Sequence, residues 1–381
     1  MAPMVAGRPY PLLFVAPNLG GGGAERALVH IINALDRARF QPHLALFQRE
    51  GVFLGELASD VPVYEVQPTD RGLVHRNWLR IQALGRLYDE VHPALVMSLL
   101  WQANAVTLLA AGLGHLLAPV VINEQTAPQA SLRADARRRL LWPIARRLYR
   151  RASHVVAISQ GIGAEIVDRL SIAPGRVSVI HNPVPVQQVV EQAREPVSFK
   201  ISRAPAIMAV GRLVPLKNYP LLLRAVALVL REQDVELYIL GDGPEREPIE
   251  RLAATLGMAA HVHLLGFLPN PYPYIAQADL FALSSDHEGF GNVLVEAMAL
   301  GVPVVATDCP YGPREILAGG QYGLLVPPGD QRALADCLLS LLRDPHMRDR
   351  FGMEGRRRAE DFSIQKIIPQ YECLFWSLIA G

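Results

Sequence analysis

Short runs of consecutive apolar residues alternate along the chain with longer stretches in which apolar positions recur every three or four residues. The runs fall at 12–16, 44–47, 61–66, 95–98, 120–122, 155–158 and 177–180, and then at 207–210, 237–240, 262–265, 280–283, 303–306 and 324–326. Runs that are apolar on both faces and separated by helical patterns predict parallel strands covered by helices on either side. Between the two series, the stretch from His181, Asn182 and Pro183 to about Pro205 turns polar and irregular and reads as a hinge. The pattern predicts an α/β protein of two Rossmann-like domains, over 1–183 and 184–361. Ile364, Ile367, Ile368, Tyr371, Leu374, Phe375 and Leu378 keep helical spacing, so 362–381 is expected to form a helix that returns toward the first domain.

Composition narrows the class. The chain has 381 residues, half of them hydrophobic and 19% charged, which excludes a disordered chain and a disulfide-stapled miniprotein. With 37 basic and 36 acidic side chains, whole-chain attraction to nucleic acid is excluded, and any electrostatic function must be local. Cys309, Cys337 and Cys373 are scattered without a C-x-x-C spacing, which argues for a reduced, cytoplasmic setting. Residues 94–123 carry no Asp, Glu, Lys or Arg and are long enough to span a membrane. Gln102, Asn104, Thr107, His115, Gly112, Gly114 and Pro119 instead break them into a strand, a buried helix and another strand.

Three loops carry candidate chemistry. The first strand runs into Gly20, Gly21, Gly22 and Gly23 and then a helical pattern. Glycines at that junction let backbone amides approach an anion, and the helix dipole favours negative charge there. A tight turn without ligand is the plain alternative, but four glycines exceed what a turn needs. Glu25 holds the position of the third glycine of a dinucleotide fingerprint, and no P-loop Lys-Ser/Thr follows. In the second series, Arg212 and Lys217 follow a strand directly, where open parallel sheets bind ligands; they read as a diphosphate clamp or as two solvated cations. The third loop holds Glu288, Gly289, Phe290, Gly291, Asn292 and Val293, with Glu296 one turn into a helix. Carboxylates beside a phosphate site are useful only as acceptors from hydroxyls, which points to a sugar nucleotide over a solvated helix edge.

The E-x7-E spacing of Glu288 and Glu296, preceded by Gly211-Arg212 and Lys217, resembles the GT-B glycosyltransferases of family 4. So do the Gly20 to Arg26 segment, Gly241-Asp242-Gly243-Pro244, Leu265-Gly266-Phe267 and the stretch from Thr307 to Glu315. The likeness extends over nearly the whole chain and is nearest to bacterial members that extend polyprenyl-diphosphate-linked glycans. It implies two domains facing a cleft and a retaining, metal-independent hexosyltransferase with a UDP-sugar donor and no cofactor. Glu288, Arg212 and Lys217 would be catalytic. Gly22, Gly23, Phe267, Leu268, Gly289, Phe290, Gly291, Asn292, Val293 and Glu296 would complete the donor site, with Glu288 on the transferred sugar and Glu296 on the ribose. The sequence has no D-x-D metal triplet. Where many relatives carry a Ser-Glu-His-like segment, this chain reads Asn123-Glu124-Gln125-Thr126, which assigns Glu124 and Gln125 to the acceptor side.

From Arg133 to Arg151 there are eight arginines against one acid, Asp135, interleaved with Leu140, Leu141, Trp142, Ile144 and Leu148. Such a segment suits an anionic bilayer surface, with Arg137, Arg138, Arg139, Trp142, Arg146 and Arg147 as contacts. A solvated amphipathic helix is the simpler reading, and nucleic acid is disfavoured because no recognition motif accompanies the basic run. The partners expected are therefore a nucleotide-sugar, a lipid-linked glycan and the inner membrane's cytosolic face. Two rival functions share the sequence features: a UDP-sugar epimerase on the same two-domain plan, and a non-catalytic partner subunit.

Overall fold

The computed structural model of the chain describes residues 8–66, 73–128, 136–197, 201 and 205–380. It divides into two compact units, Met1–Pro183 with Ile364–Gly381, and Val184–Ser363.

In the first unit, seven parallel strands are ordered β3-β2-β1-β4-β5-β6-β7. They are β1 (Tyr10–Ala16), β2 (Phe40–Leu46), β3 (Val63–Glu65), β4 (Leu95–Leu99), β5 (Val120–Glu124), β6 (His154–Ala157) and β7 (Val177–Val179). Side chains alternate across β1: Leu12, Phe14 and Ala16 join one buried cluster, and Leu13 and Val15 the other. Helix α1 (Gly23–Ala34) covers the first face. Helices α2 (Leu73–Val91) and α3 (Trp101–Ala110) cover the second. The uncharged stretch thus resolves into β4, α3 and β5, and no helix of the described residues is long and apolar enough to cross a membrane. Helices α4 (Ala136–Tyr149) and α5 (Gln160–Leu170) complete the unit before its terminal segment.

The second unit is a six-stranded parallel sheet ordered β10-β9-β8-β11-β12-β13. Its strands are β8 (Ala206–Val210), β9 (Glu236–Leu240), β10 (Val262–Gly266), β11 (Leu280–Leu283), β12 (Val304–Thr307) and β13 (Leu324–Val326). The stretch after Pro183 is not irregular throughout: it enters this unit with helix α6 (Val186–Gln192), which buries Val186 and Val189. Helices α7 (Tyr219–Val229), α8 (Arg246–Thr255), α9 (Tyr272–Ile275), α10 (Asn292–Ala299), α11 (Pro313–Ile316), α12 (Gln331–Arg343) and α13 (Pro345–Ala359) follow in turn. Strand order reverses between β8 and β11, and a doubly wound sheet opens a crevice at the carboxyl ends of such a pair.

The terminal helix α14 (Ile364–Ala380) belongs to the first unit and starts after a 3-10 turn at Glu360–Phe362, so the second unit runs to 363 rather than 361. Its Phe375 ring meets those of Phe14 and Phe40 edge-on, each at 6.3 Å, and Trp376 meets Tyr10 at 5.7 Å. A fully buried aromatic of this kind contributes about 2–3 kcal/mol by area, with a further fraction from ring geometry.

Candidate active site

The loops that leave β8 and β11 meet at the switch point of the second sheet. After Val210 the chain turns through Gly211 to a 3-10 turn at Pro215–Lys217, and Asn218 then caps α7 by accepting from the Leu221 amide at 3.2 Å. Gly241 adopts φ 141°, and a Cβ there would collide with the Gly211 carbonyl, so only glycine lets these loops touch. Hydrogen bonds join the β8 loop to the β11 loop. Ser284 Oγ donates to the Lys217 carbonyl at 2.9 Å, the Asp286 amide to the Leu216 carbonyl at 2.9 Å, and Asn218 Nδ2 to Asp286 Oδ1 at 2.7 Å.

This framework brings Lys217 and Glu288 together. Lys217 Nζ donates to Glu288 Oε1 at 2.5 Å, and Ser285 Oγ donates to the same oxygen at 2.6 Å. The two charged side chains keep 19% and 11% of their surface exposed, so the pair is sheltered but reachable. The Glu288 charge acts on its neighbours. Burial first, and Glu288 second, push the Tyr219 phenol above its usual range, and the same causes in the same order push the Cys309 thiol up to about 12. Arg212 is exposed and makes no ion pair among the described residues. The sequence pattern did not single out Ser285, although its position three residues before Glu288 and two beyond β11 was a usable signal.

Gly291, with φ 102°, is the N-cap of α10, and no side chain caps the helix. Its amides at Asn292 and Val293 begin a helix whose dipole favours an anion. Phe290 is buried and meets Phe362 edge-on at 5.3 Å, which fixes the loop holding Gly289 and Gly291. Glu296 is 7% exposed one turn further along. Beyond β10, Phe267 is exposed and Leu268 half-buried.

Gly22 and Gly23 belong to the other unit. Gly22 is the N-cap of α1, again without a side-chain cap, and Gly23 is exposed. At the end of β5, Asn123, Glu124 and Gln125 are 0%, 5% and 6% exposed. Tyr149 donates to Glu124 Oε2 at 2.9 Å, and Asn123 Nδ2 donates to the Tyr371 hydroxyl at 2.8 Å. Gln125 Nε2 donates to Asn123 Oδ1 at 2.7 Å and to Asn182 Oδ1 at 3.1 Å, while Gln125 Oε1 accepts from Asn182 Nδ2 at 3.0 Å. The acceptor-side candidates are therefore members of a buried polar network that also takes in the terminal helix.

In the arginine-rich segment, Pro143 lies inside α4, Ile144 is 64% exposed, and Arg146 and Arg147 are exposed, with Arg146 donating to Ser171 Oγ. Trp142 is half-buried rather than fully presented. The side chains of Arg137, Arg138 and Arg139 lie outside the described residues.

Two parallel sheets of this order, the second with ligand-type loops at its switch point, define a protein of the GT-B class. Residues 21–188 match the family described as Glycosyltransferase Family 4, and residues 191–358 that described as Glycosyl transferases group 1. The chain belongs to the family 4 glycosyltransferases. It is 29% identical over 361 residues to N-acetylgalactosamine-N,N'-diacetylbacillosaminyl-diphospho-undecaprenol 4-alpha-N-acetylgalactosaminyltransferase of Campylobacter jejuni, covering 92% of this chain and 95% of the relative. It is 27% identical to the lipopolysaccharide core biosynthesis glycosyltransferase LpsD of Rhizobium meliloti, over 93% of this chain and 95% of the relative. Among solved structures, Anabaena Alr3699/HepE in complex with UDP and glucose superposes with a TM-score of 0.81 at 23% identity, covering 96% of this chain and 99% of that one.

Proposed function

We propose that this glycosyltransferase moves a hexose or N-acetylhexosamine from a UDP-sugar to a hydroxyl of a polyprenyl-diphosphate-linked glycan, with retention and without a metal or other cofactor. The Lys217–Glu288 pair at the switch point carries the reading. An ammonium has three N–H groups, so Lys217 keeps donors for a diphosphate oxygen while one holds Glu288. Arg212 would supply the second cation, and the uncapped start of α10 would add backbone amides. Glu288 then accepts from hydroxyls of the transferred sugar, and Glu296 from the ribose. Phe267 and Leu268 would face the base.

In this mechanism the bond from the sugar's anomeric carbon to the diphosphate breaks first. The acceptor oxygen then bonds to that carbon on the same face, and its proton passes to the departing phosphate. Negative charge grows on the leaving oxygen, where preorganised cations and amides are most effective. The Campylobacter and Rhizobium relatives, named for a diphospho-undecaprenol acceptor and for lipopolysaccharide core synthesis, support a lipid-linked glycan acceptor, and the UDP complex of the Anabaena structure supports the nucleotide. The exposed Arg146, Arg147 and Ile144 support docking on an anionic leaflet from the cytoplasmic side.

A thermal-shift panel of UDP- and GDP-sugars, followed by a free-UDP assay with and without a lipid-linked acceptor, tests this. Stabilisation by a UDP-sugar and acceptor-dependent UDP release are expected. Isomerisation of the sugar without an acceptor would establish the epimerase instead, and the absence of any sugar-nucleotide shift would reject the site.

A further inference from the structure

The same sheet carries a second constellation at the opposite ends of its strands. Glu236 opens β9, Asp234 stands two residues before it, and His261 closes the turn that leads into β10. The two strands pair in parallel with Val262 opposite Leu237, so all three side chains gather at the amino end of the sheet's edge pair. His261 Nδ1 lies 3.5 Å from Glu236 Oε1 and 3.7 Å from Asp234 Oδ1, and the ligating atoms of the three residues all fall within 4.8 Å of one another. That nitrogen is sealed from solvent, yet it makes no hydrogen bond. The other Glu236 oxygen is held by His263 Nε2 at 2.7 Å, and the His263 ring is stacked on Tyr238 with centroids 4.6 Å apart.

We infer that Asp234, Glu236 and His261 form a binding site for a divalent cation of the zinc class. A tetrahedral centre with bonds of about 2.0–2.2 Å separates neighbouring donor atoms by roughly 3.3–3.6 Å. The two measured separations lie at or just beyond that range, too long for good hydrogen bonds and short enough for a shared ion. One imidazole nitrogen with two carboxylate oxygens suits zinc. Calcium requires six to eight oxygens, and magnesium a near-ideal octahedron with several waters. His263 serves in the outer shell, fixing Glu236 so that its first oxygen faces His261. An open depression of about 610 Å³, lined by Arg231, Asp234, Met258 and His261, borders the cluster, and the exposed Asp234 leaves room for water as fourth ligand.

The ion would tie β10 to β9. Among the described residues β10 is an edge strand paired with β9, and its far end leads into Phe267 and Leu268. Five residues of strand, at about 3.3 Å each, put this centre roughly 15 Å from the donor loops, so it holds the sheet edge and takes no part in sugar transfer.

The test uses the full chain after chelator treatment, titrated calorimetrically with zinc chloride and followed by thermal melting with zinc and with magnesium. One equivalent of zinc is expected to bind and to raise the melting temperature, with no such rise from magnesium. Asp234→Asn and His261→Ala should each weaken zinc at least tenfold, the loss typical when part of a metal site is removed. Stabilisation by UDP should persist in both variants, which separates this site from the donor site. Asp234 is largely exposed, so its variant leaves the core intact. Absence of stoichiometric zinc binding, or unchanged affinity in both variants, overturns the proposal.

Discussion

The carboxyl ends of the two sheets are both polar, but they are built for opposite purposes. In the second unit an ammonium and a carboxylate meet at 2.5 Å with 19% and 11% of their side-chain surfaces still exposed. In the first, Asn123, Gln125, Asn182 and Tyr371 are each 6% exposed or less and satisfy one another through neutral amide and phenol groups. Gln125 and Asn182 form a closed ring of two hydrogen bonds, and both N–H groups of Gln125 are spent within the network. Lys217 retains N–H groups beyond the one given to Glu288, and Arg212 is exposed in the same loop. Readiness for a ligand is thus a matter of unused donors within reach of solvent; polarity alone, buried and mutually satisfied, makes a brace.

The largest effects should come from the Lys217–Glu288 pair. Lys217→Ala is expected to abolish UDP-induced stabilisation and to lower turnover by at least about 100-fold, equivalent to roughly 2.7 kcal/mol of lost transition-state stabilisation. Glu288→Gln should lower turnover comparably while UDP still binds, because its proposed partner is the sugar. Because the pair is largely sheltered, removing one partner leaves the other without its counter-charge and should also cost about 2–4 kcal/mol of stability. Calorimetric UDP titration, steady-state rates and denaturant midpoints on the same variants check all three. If both variants lose UDP binding equally, the division of roles between the two residues is wrong.

The buried network should respond in the reverse way. Asn123→Leu removes the partner of both Gln125 and Tyr371, leaving buried groups unsatisfied, and should cost about 2–4 kcal/mol of stability with UDP affinity unchanged. Tyr371→Phe removes one hydroxyl from the same chain of bonds and should cost about 1–2 kcal/mol. Chemical denaturation and UDP titration distinguish the outcomes. A folded Asn123→Leu protein that no longer bound UDP would erase the contrast drawn between the two strand ends.

The pH response gives a further handle on the first unit. Burial, assisted by Arg26, lowers the His30 pKa from 6.5 to about 4, so the folded chain keeps this imidazole neutral while the unfolded chain protonates it. Stability from this group is fully present above pH 6.5 and declines as pH falls through 6.5 toward 4. The loss between pH 7 and pH 5 should be about 2 kcal/mol. His30→Gln should flatten that dependence in thermal melts, and an unchanged slope would place the acid sensitivity elsewhere.

How far the sequence discloses this contrast follows from the range of the interactions. Strands covered on both faces appear as short, mainly apolar runs, so all thirteen were legible, although β3 is confined to Val63–Glu65 within its run. The terminal helix was equally plain from its apolar stripe. Helix α6 was not, since Val186 and Val189 are its two buried anchors among glutamines and glutamate. The loops proposed for the donor site stood out because glycines and charges sit within a few residues of strand ends. The buried network was not: Asn123 finds Tyr371 across 248 positions, and an isolated amide in a sequence does not show whether it faces a ligand or another amide.

The smallest expected effect probes whether the glycine loop of the first unit shares the anion-binding role proposed for the second. Gly22 caps α1 with extended backbone, φ −95° and ψ 161°, so a side chain is tolerated there without conformational penalty. A Cβ at this position meets the end of the flexible Glu25 side chain, which is able to swing aside. Gly22→Asp would give the helix the side-chain cap it lacks and place a negative charge at its positive end, worth a few tenths to about 1 kcal/mol. The same carboxylate would occupy the amides that a phosphate requires and repel the phosphate itself. The variant should therefore melt slightly higher while its stabilisation by UDP diminishes, both read from one thermal-shift series. A higher melting point with the UDP response intact would show that the glycine loop is a turn, and that donor recognition rests on the second unit alone.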